Sequence, residues 1–403
     1  MKYTFPLITH IDEVLAAIEG REEFIVKHCP VADVKIINYL VNFEDTFPPV
    51  TDRRTALLRE CRGITFCAKT GRVMSRKFHK FFNLGERPET LPENVDFTQP
   101  HRYLEKLDGS MITPLLVDGE VRWCTKMGLT PVAAPVDVFT ADKPGYLEFA
   151  KHCMAHGWTP IFEWCSRKQR IVIDYPVDRL VLLAMRENVT GQYMPRIQMH
   201  EEADAYGVEI VGTSPVLTGF DQIALDDVRE LEGEEGKVYS FEGGELHGHK
   251  VKVKGSWYLQ LHKTLDHLRF EKDVIRLILD EKLDDAKPFL PADLVASSDD
   301  FAREIFTGLR KLASDLHWEA QADFDNFNGG KKKFAERVMR ERKDMSKYLF
   351  VAWDRLEEGE EGMYKHLLKV VGDGISTQSR VDALRHLWGG KCWYDYRDAP
   401  VEE

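Results

Sequence analysis

The sequence has no apolar run long enough to span a membrane and no paired cysteine motif. Its most apolar stretch, Leu180–Met185, is far shorter than the ~20 residues that a transmembrane helix needs. The seven cysteines are scattered and none forms C-x-x-C, which is typical of a reducing compartment and disfavours a zinc site. The N-terminus lacks the apolar run and the cleavage site of a signal peptide. We therefore expect a cytoplasmic protein (in the host cytoplasm if a phage encodes it) without membrane contact.

Positive charge is also in deficit over the chain as a whole. The 403 residues include 55 Lys and Arg against 67 Asp and Glu, a formal net charge of −12. A protein this acidic cannot coat nucleic acid by bulk charge, although a local basic groove remains compatible with it. The 43% of hydrophobic and 30% of charged residues are typical of a globular protein, and the length predicts two or three domains.

Internal repeats and the P-loop motif G-x-x-x-x-G-K-[ST] are absent too, so solenoids, propellers and P-loop ATPases are disfavoured. What the chain has is a change of pattern near residue 265. Before that point, short apolar or alternating runs separated by Gly, Pro, Asn and Asp predict strands. These runs are Val34–Val41, Gly63–Cys67, Arg102–Leu104, Met111–Leu116, Val121–Cys124, Ile161–Glu163, Arg170–Ile173, Leu180–Ala184, Val238–Phe241 and Lys250–Val253.

Helical patterns are few in the first part of the chain and dominate the rest. Helices are predicted at Leu147–His156 and Phe220–Leu231. After His267, apolar residues recur at helical spacing behind Ser297 and Ser298, which are the expected N-caps of a helix. The patterns therefore predict a mixed, β-rich first domain and a helical second domain.

The segment 103–110, Tyr-Leu-Glu-Lys-Leu-Asp-Gly-Ser, places Lys106 at the end of a predicted strand and just before an Asp-Gly turn. Such a position can present an amine at the floor of a cleft, where neighbouring cations or a dry pocket can make a lysine nucleophilic. Asp-Gly turns are common, so K-x-D-G taken alone also fits a hairpin whose lysine faces water. The motif therefore needs support from elsewhere in the chain.

Lys252 and Lys254 give a second signal. Alternation along a strand puts both ammonium groups on one face, which is expected where that face meets an anion. A solvated edge strand would also explain the pair. Further blocks with charged or aromatic residues are Glu60-Cys61-Arg62-Gly63-Ile64, Lys80-Phe81-Phe82-Asn83, Thr125-Lys126-Met127-Gly128, Phe162-Glu163-Trp164 and Glu235-Gly236-Lys237-Val238.

In this order, the blocks resemble the covalent nucleotidyltransferases, that is, ATP-dependent ligases and mRNA capping enzymes, whose nucleophile lies in K-x-D-G. In detail they are similar to the RNA ligase 1 group typified by the T4 bacteriophage ligase. The shared motifs are E-C-R-G-I, K-F-F-N, K-x-D-G-S, F-E followed by R-I-V-I, R-E-N-x-T-G, E-G-x-V and K-x-K-x-x-W-Y. The resemblance covers residues 35–290 and implies an α+β fold. An adenylyltransferase domain of antiparallel sheets with flanking helices, residues 1–265, would precede an all-α domain for RNA or tRNA specificity, residues 266–403.

By this resemblance, Lys106 takes AMP from ATP, AMP passes to an RNA 5′-phosphate, and a 3′-hydroxyl then attacks that phosphate and releases AMP. Phosphoryl transfer depends on positioning and charge stabilisation, so cations must surround the phosphates. The implied catalytic residues are Lys106, Glu163, Glu235 and Lys252. The implied nucleotide contacts are Tyr39, Arg62, Lys80, Lys106, Lys126, Glu163, Lys252 and Lys254.

The resemblance also implies two cofactors, ATP and Mg²⁺, with Mn²⁺ able to replace the latter. Mg²⁺ takes oxygen ligands, keeps several waters and bridges phosphates. The implied metal residues are Glu235, Asp284 and Asp285. Taken alone, Glu163 or Glu235 would be interpreted as a solvated carboxylate, and Asp284-Asp285 as the acidic end of a helix.

The partner implied by the resemblance is RNA, above all tRNA with a broken anticodon loop, beside an end-healing kinase or phosphatase. We expect a monomer. The run 331–343 has seven basic residues against two acidic ones; it is a second candidate RNA contact, although such runs are more often solvated helix faces. Two other functions stay open: a DNA ligase or capping-type enzyme, which would need a strand-rich region after Lys254, and a catalytically inactive RNA-binding relative.

Overall fold

The computed structural model describes residues 3–40, 43, 45–280, 282–283, 287, 290 and 292–393. The chain divides into two compact units, Met1–Leu259 and Gln260–Glu403. The first unit contains three antiparallel sheets with flanking helices. In the described part of the second unit every regular element is a helix, so the predicted α+β class is confirmed. None of the described helices is long and apolar enough to cross a bilayer.

The first sheet has four strands in the order in which they occur along the chain. They are β1 (Phe24–Cys29), β2 (Val34–Tyr39), β3 (Arg62–Cys67) and β4 (Val73–Ser75). Helices α1 (Ile11–Ile18) and α2 (Arg53–Glu60) pack their apolar side chains against it. Because β2 ends at Tyr39 and its antiparallel neighbour β3 begins at Arg62, the two side chains come from the same end of the sheet.

The second sheet has the order β11-β10-β5, formed by β5 (His101–Glu105), β10 (Gly236–Phe241) and β11 (Lys250–Lys254). Its register pairs Gly236 with Lys254 and Lys237 with Glu105. The residue after β5, Lys106, and the residue before β10, Glu235, therefore meet Lys254 at one end of the sheet. Helix α6 (Gln222–Glu230) shares the hydrophobic core of this sheet.

The side chains of strand β11 alternate between its two faces from Val251 to Lys254, as the sequence predicted. Val251 and Val253 are buried, and Lys252 and Lys254 lie on the other face, partly exposed. The outer edge of the strand is not solvated at Lys252, because the Lys252 amide donates to Phe82 and the Lys252 carbonyl accepts from Leu84. β11 is thus the edge strand of its sheet, but the interpretation that this edge is solvated is wrong at Lys252.

The third sheet has the order β7-β6-β8-β9 and carries a core rich in aromatic side chains. Its strands are β6 (Ser110–Val117), β7 (Glu120–Cys124), β8 (Trp158–Cys165) and β9 (Arg179–Glu187), flanked by α3 (Ala134–Ala141), α4 (Pro144–Ala155) and α5 (Arg196–Asp204). Asp118-Gly119 forms the tight β6–β7 turn with positive φ at both residues. Strands β5 and β6 belong to different sheets, so the residues between them connect two sheets and do not form a hairpin.

The predicted strand Arg170–Ile173 is wrong. This segment is irregular, since the Val172 and Ile173 amides donate to the Asp108 carboxylate instead of joining a strand ladder. A buried side-chain acceptor from a distant part of the chain has replaced the partner strand.

Helix α7 (Ser256–Leu268) follows β11 and crosses the division between the units. The further described helices are Glu271–Leu279, Ala292–Asn326, Lys331–Glu341, Ser346–Asp354, Gly359–Gly374 and Gln378–Leu384. Ser297 and Ser298 lie inside Ala292–Asn326, so their prediction as N-caps is wrong. The buried Ser298 hydroxyl donates to the Val295 carbonyl, which is how a serine is accommodated within a helix.

Candidate active site

Lys106 is held at the junction of two sheets. Its amide donates to the Gly236 carbonyl, 3.0 Å away. Its Nζ lies 2.5 Å from Glu235 Oε2, and its side chain is 18% exposed. The alternative interpretation, a hairpin lysine that faces water, is therefore wrong.

Glu235 forms ion pairs with two of the predicted lysines, Lys106 and Lys254. Its side chain is 5% exposed, and its second oxygen, Oε1, lies 3.0 Å from Lys254 Nζ. The next residue, Gly236, has φ of +138° and packs so closely that a Cβ there would lie 2.1 Å from the Val253 carbonyl oxygen. Only glycine fits this position, and its tight packing fixes the carboxylate between Lys106 and Lys254.

A cluster of cations surrounds Tyr39. The ring centroid lies 4.4 Å from Lys126 Nζ and 5.0 Å from Lys80 Nζ. Burial acts to raise the pKa of Tyr39, but Arg62, Lys80 and Lys126 outweigh it and lower that pKa. The turn that carries Lys126 approaches Gly63 so closely that a Cβ there would lie 2.8 Å from the Lys126 backbone, so a glycine in the E-C-R-G-I motif permits this approach.

Lys252 faces the same cluster. Its Nζ lies 5.5 Å from the centre of the Phe81 ring. Burial, together with Lys80, Lys106 and Arg62, lowers the pKa of Lys252 to about 7, and Glu86 opposes this shift. Among the described residues, no carboxylate lies within ion-pair distance of the four cations of this open cluster, which are Arg62, Lys80, Lys126 and Lys252. An anion bound here would relieve their mutual repulsion.

Glu163 supplies a second carboxylate. It lies on β8, and burial raises its pKa to about 8; Lys106 opposes this shift and Glu235 adds to it. Below pH 8 the free site therefore favours the protonated form of Glu163. Two neighbouring carboxylates are a donor set that suits Mg²⁺, which takes oxygen ligands and fills the rest of its shell with water and phosphate. Among the described residues, no group of three or more His, Cys, Asp or Glu side chains could hold a metal by itself.

The structure thus brings together nine of the predicted site residues in the first unit: Tyr39, Arg62, Lys80, Lys106, Lys126, Glu163, Glu235, Lys252 and Lys254. The other two, Asp284 and Asp285, lie outside the described residues.

Two other residues of the shared motifs belong to a buried ion-pair network. Glu60 of E-C-R-G-I and Arg186 of R-E-N-x-T-G are fully buried with Arg76. The Glu60 carboxylate accepts hydrogen bonds from both guanidinium groups. Burial acts to raise the pKa of Glu60, but Arg186 and Arg76 hold it at about 2.

Sequence reasoning missed the residues that hold Asp108. Tyr258 and Tyr175 contact it from different parts of the chain. The Trp-Tyr ending of K-x-K-x-x-W-Y was a signal for Tyr258, whereas nothing in the local sequence distinguishes Tyr175.

Comparison with known proteins places the chain among RNA ligases. A family model described as RNA ligase matches residues 60–265. A protein of Thermovibrio ammonificans, named as a candidate RNA ligase, is 34% identical over 280 residues, 68% of this chain and 70% of the relative. RNA ligase 1 of bacteriophage TS2126 is 30% identical over 51% of this chain, which spans 52% of that relative. An archaeal ATP-dependent RNA ligase structure matches 93% of this chain and 85% of its own, with 14% identity and a TM-score of 0.45.

The matched range 60–265 contains eight of the nine residues that the structure brings together, all but Tyr39. The family match covers half of the chain, and the Thermovibrio relative is aligned over most of its own length. The chain therefore belongs to the RNA ligase family, which confirms the resemblance inferred from its motifs.

Proposed function

We propose that this chain is an ATP-dependent RNA ligase that joins RNA 5′-phosphate and 3′-hydroxyl ends through a lysine–AMP intermediate on Lys106. The observation that carries the proposal is the position of Lys106. Its amine is partly shielded, is held by Glu235, and lies in the field of the open cation cluster. A nucleophile beside cations that make no ion pair within the described part of the chain suits attack on a polyphosphate.

In the first step, the neutral Lys106 amine attacks the α-phosphorus of ATP. The N–P bond forms, the bond from the α-phosphorus to the bridging oxygen breaks, and pyrophosphate leaves. Arg62, Lys80, Lys126 and Lys252 are placed to stabilise the negative charge on the phosphates. The Glu235 carboxylate orients the lysine ammonium before the attack. Lys106 gives up one proton to solvent to become the neutral amine and a second to solvent once the N–P bond has formed.

Glu235 and Glu163 are the residues that would hold a divalent metal ion or its waters. Such an ion, Mg²⁺ with Mn²⁺ as a substitute, would supply neutralisation of the phosphate oxygens when bound. Because Glu163 favours its protonated form in the free site, it would give up a proton to become a metal ligand.

In the later steps, a 5′-phosphate oxygen attacks the adenylate phosphorus and releases Lys106. The 3′-hydroxyl then attacks the activated 5′-phosphate, forms the phosphodiester bond and expels AMP. We further propose that the substrate is tRNA with a broken anticodon loop, prepared by an end-healing kinase or phosphatase in the cytoplasm, and that the ligase acts as a monomer. The helical character of the described second unit supports an RNA ligase over a DNA ligase or capping enzyme with an appended β-barrel.

The test is incubation with α-labelled ATP and Mg²⁺, without RNA, followed by denaturation. The wild type should retain label as a covalent adduct, and Lys106→Ala and Lys106→Arg should retain none. The arginine variant keeps the positive charge beside Glu235, so a loss of label there cannot result from a broken ion pair.

Lys69→Ala is the matched control, because it removes an exposed lysine that also pairs with a carboxylate, that of Asp33. It should label like the wild type. Label that persists in both Lys106 variants would overturn the assignment of the nucleophile. An unlabelled wild type that is folded and free of AMP would favour the inactive RNA-binding relative.

A further inference from the structure

The side chain of Asp108, two residues after Lys106, is buried and fully engaged. It is 4% exposed. Its Oδ2 accepts hydrogen bonds from the Val172 and Ile173 amides, both at 2.7 Å. Its Oδ1 accepts from the Tyr258 hydroxyl at 2.8 Å. In the described part of the chain no cation lies within ion-pair distance of this carboxylate, so these hydrogen bonds must offset its burial.

A second tyrosine holds the backbone of the same residue. The Asp108 amide donates to the Tyr175 hydroxyl at 2.9 Å. Tyr258 comes from the first turn of α7, and Tyr175 comes from the irregular segment between β8 and β9. Two elements far apart in the chain therefore meet at Asp108.

The tyrosine hydroxyls are fixed in their protonated form. Burial, Glu235 and Asp108 raise the pKa of Tyr258 far above its usual value. Burial likewise raises the pKa of Tyr175. The Tyr258 hydroxyl consequently stays protonated and donates its hydrogen bond to Asp108.

The connection that carries Lys106 has few other restraints. Residues 106–108 have no regular structure, and β5 and β6, which flank the connection, lie in different sheets. At its far end, Gly109 packs so closely that a Cβ would lie 2.2 Å from the Trp164 carbonyl oxygen. The connection is thus fixed at Lys106 by Gly236 and at Gly109 by Trp164. At Asp108 it is fixed by the two tyrosines together with the Val172 and Ile173 amides.

We propose that Tyr258 and Tyr175 are positioning residues for the lysine nucleophile: through Asp108 they hold the connection so that Lys106 meets the α-phosphorus of ATP. This inference rests on the proposed function. A displacement of ~1 Å in a reacting group can reduce a rate by ~100-fold. The tyrosines should therefore affect formation of lysine–AMP, and not the last step, in which Lys106 no longer reacts.

The experiment compares wild type, Tyr258→Phe and Tyr175→Phe in two single-turnover reactions. One is formation of the covalent AMP adduct from α-labelled ATP over a range of ATP concentrations. The other is sealing of RNA that already carries a 5′-adenylate, a reaction that bypasses Lys106. Both substitutions keep the aromatic ring and remove only the hydroxyl. In Tyr258→Phe the retained ring is the one that lies 4.9 Å from Lys254 Nζ.

We expect Tyr258→Phe to slow adduct formation at saturating ATP by ~10–100-fold, with a smaller effect for Tyr175→Phe. The apparent affinity for ATP and the sealing of pre-adenylylated RNA should stay within ~2-fold of wild type because neither depends on the position of Lys106. Tyr146→Phe is the control, since it removes a buried hydroxyl of the same unit that donates to the Leu180 carbonyl. It should lower the melting temperature without separating the two reactions.

Equal adduct formation in wild type and both tyrosine variants would overturn the inference. So would a parallel loss of adduct formation and sealing, because that is the result of general destabilisation. If Tyr258→Phe does not fold, Tyr175→Phe carries the same comparison. A wild type that forms no adduct would refute the proposed function, a result distinct from an adduct that forms equally in all variants.

Discussion

Two basic regions of this molecule differ in what their cations contact. In the first unit, the open cation cluster has no carboxylate within ion-pair distance among the described residues, and burial and mutual repulsion lower the pKa of Lys252 to about 7. In helix Lys331–Glu341 and the residues after it, four of seven basic side chains pair with carboxylates: Lys331, Arg337, Arg340 and Arg342. The second region has more positive charge along the sequence, but much of it is neutralised within the fold.

This difference shows that the density of basic residues in a sequence does not identify an anion-binding site. Cations with nearby carboxylates already have counterions, and exposed pairs of this kind contribute little to stability or to a field. Cations that are packed together and make no ion pair carry a free-energy cost that a bound polyphosphate would reduce. The open cation cluster is therefore the stronger candidate for phosphate binding.

The largest expected effect comes from removing one member of the open cluster. Lys252→Met should slow formation of lysine–AMP by ~10²–10³-fold, because it removes a cation aimed at charge that develops in the reaction. It should also raise the melting temperature by roughly 2–4 °C at pH 7, since it relieves ~1 kcal/mol of repulsion. Lys333→Met in the helical unit is the matched control and should change neither quantity. Equal effects of both variants would refute the comparison.

Arg76 and Arg186 form a third group of cations, which is buried and paired with Glu60. This group extends the comparison to cations whose counterion lies in the core. Removal of the carboxylate in Glu60→Gln should destabilise the first unit by ~3–5 kcal/mol, because Arg76 and Arg186 would be left buried without a counterion. The exposed pair Arg229–Asp226 offers the control, and Asp226→Asn should cost less than ~1 kcal/mol. Urea unfolding of both variants measures the difference.

The same network predicts a pH dependence. The pKa of Glu60 is held at about 2 in the folded protein, against 4.5 as its ordinary value. Its contribution to stability is complete above pH 4.5 and is lost as the pH falls toward 2, at most ~3 kcal/mol in total. Urea unfolding from pH 7 to 3 should therefore show wild type and Glu60→Gln converging as the pH falls. A constant difference would contradict this origin of the stability.

Proton uptake gives a more sensitive test of the open cluster. With a pKa of about 7, Lys252 is mostly neutral at pH 8 in the free protein, and a bound triphosphate favours its charged form. ATP binding without divalent metal at pH 8 should therefore take up roughly one proton, and affinity should fall as the pH rises above 7. Calorimetry in buffers of different ionisation enthalpy measures the uptake. Lys252→Met should reduce it, and an unchanged uptake would assign the proton to another group.

The smallest effect is expected in the helical unit. Charge reversal of two exposed lysines, Lys332→Glu with Lys333→Glu, should change the rate of RNA joining by less than ~3-fold at 0.15 M salt. A loss of more than ~10-fold with adduct formation unaffected would show that this helix contacts RNA phosphates. The comparison between the two basic regions would then be wrong.

Much of the first unit followed from local patterns. Alternation in Lys250–Lys254 was predicted because it depends on neighbouring residues alone. The strand predicted at Arg170–Ile173 was wrong because Asp108, more than 60 residues away, accepts its amides. The predicted caps at Ser297 and Ser298 were wrong because the helix begins at Ala292, before both serines.

The sequence by itself determined the chemical groups of the site and their order, since a nucleophilic lysine, glutamates and spaced cations are properties of residue type and spacing. The tertiary structure alone decided which charges are free to act. Glu60 and Arg186 are neutralised by each other in the core, whereas Lys252 faces other cations. Electrostatic energy depends on distance and burial in space, which the order of residues along the chain does not specify.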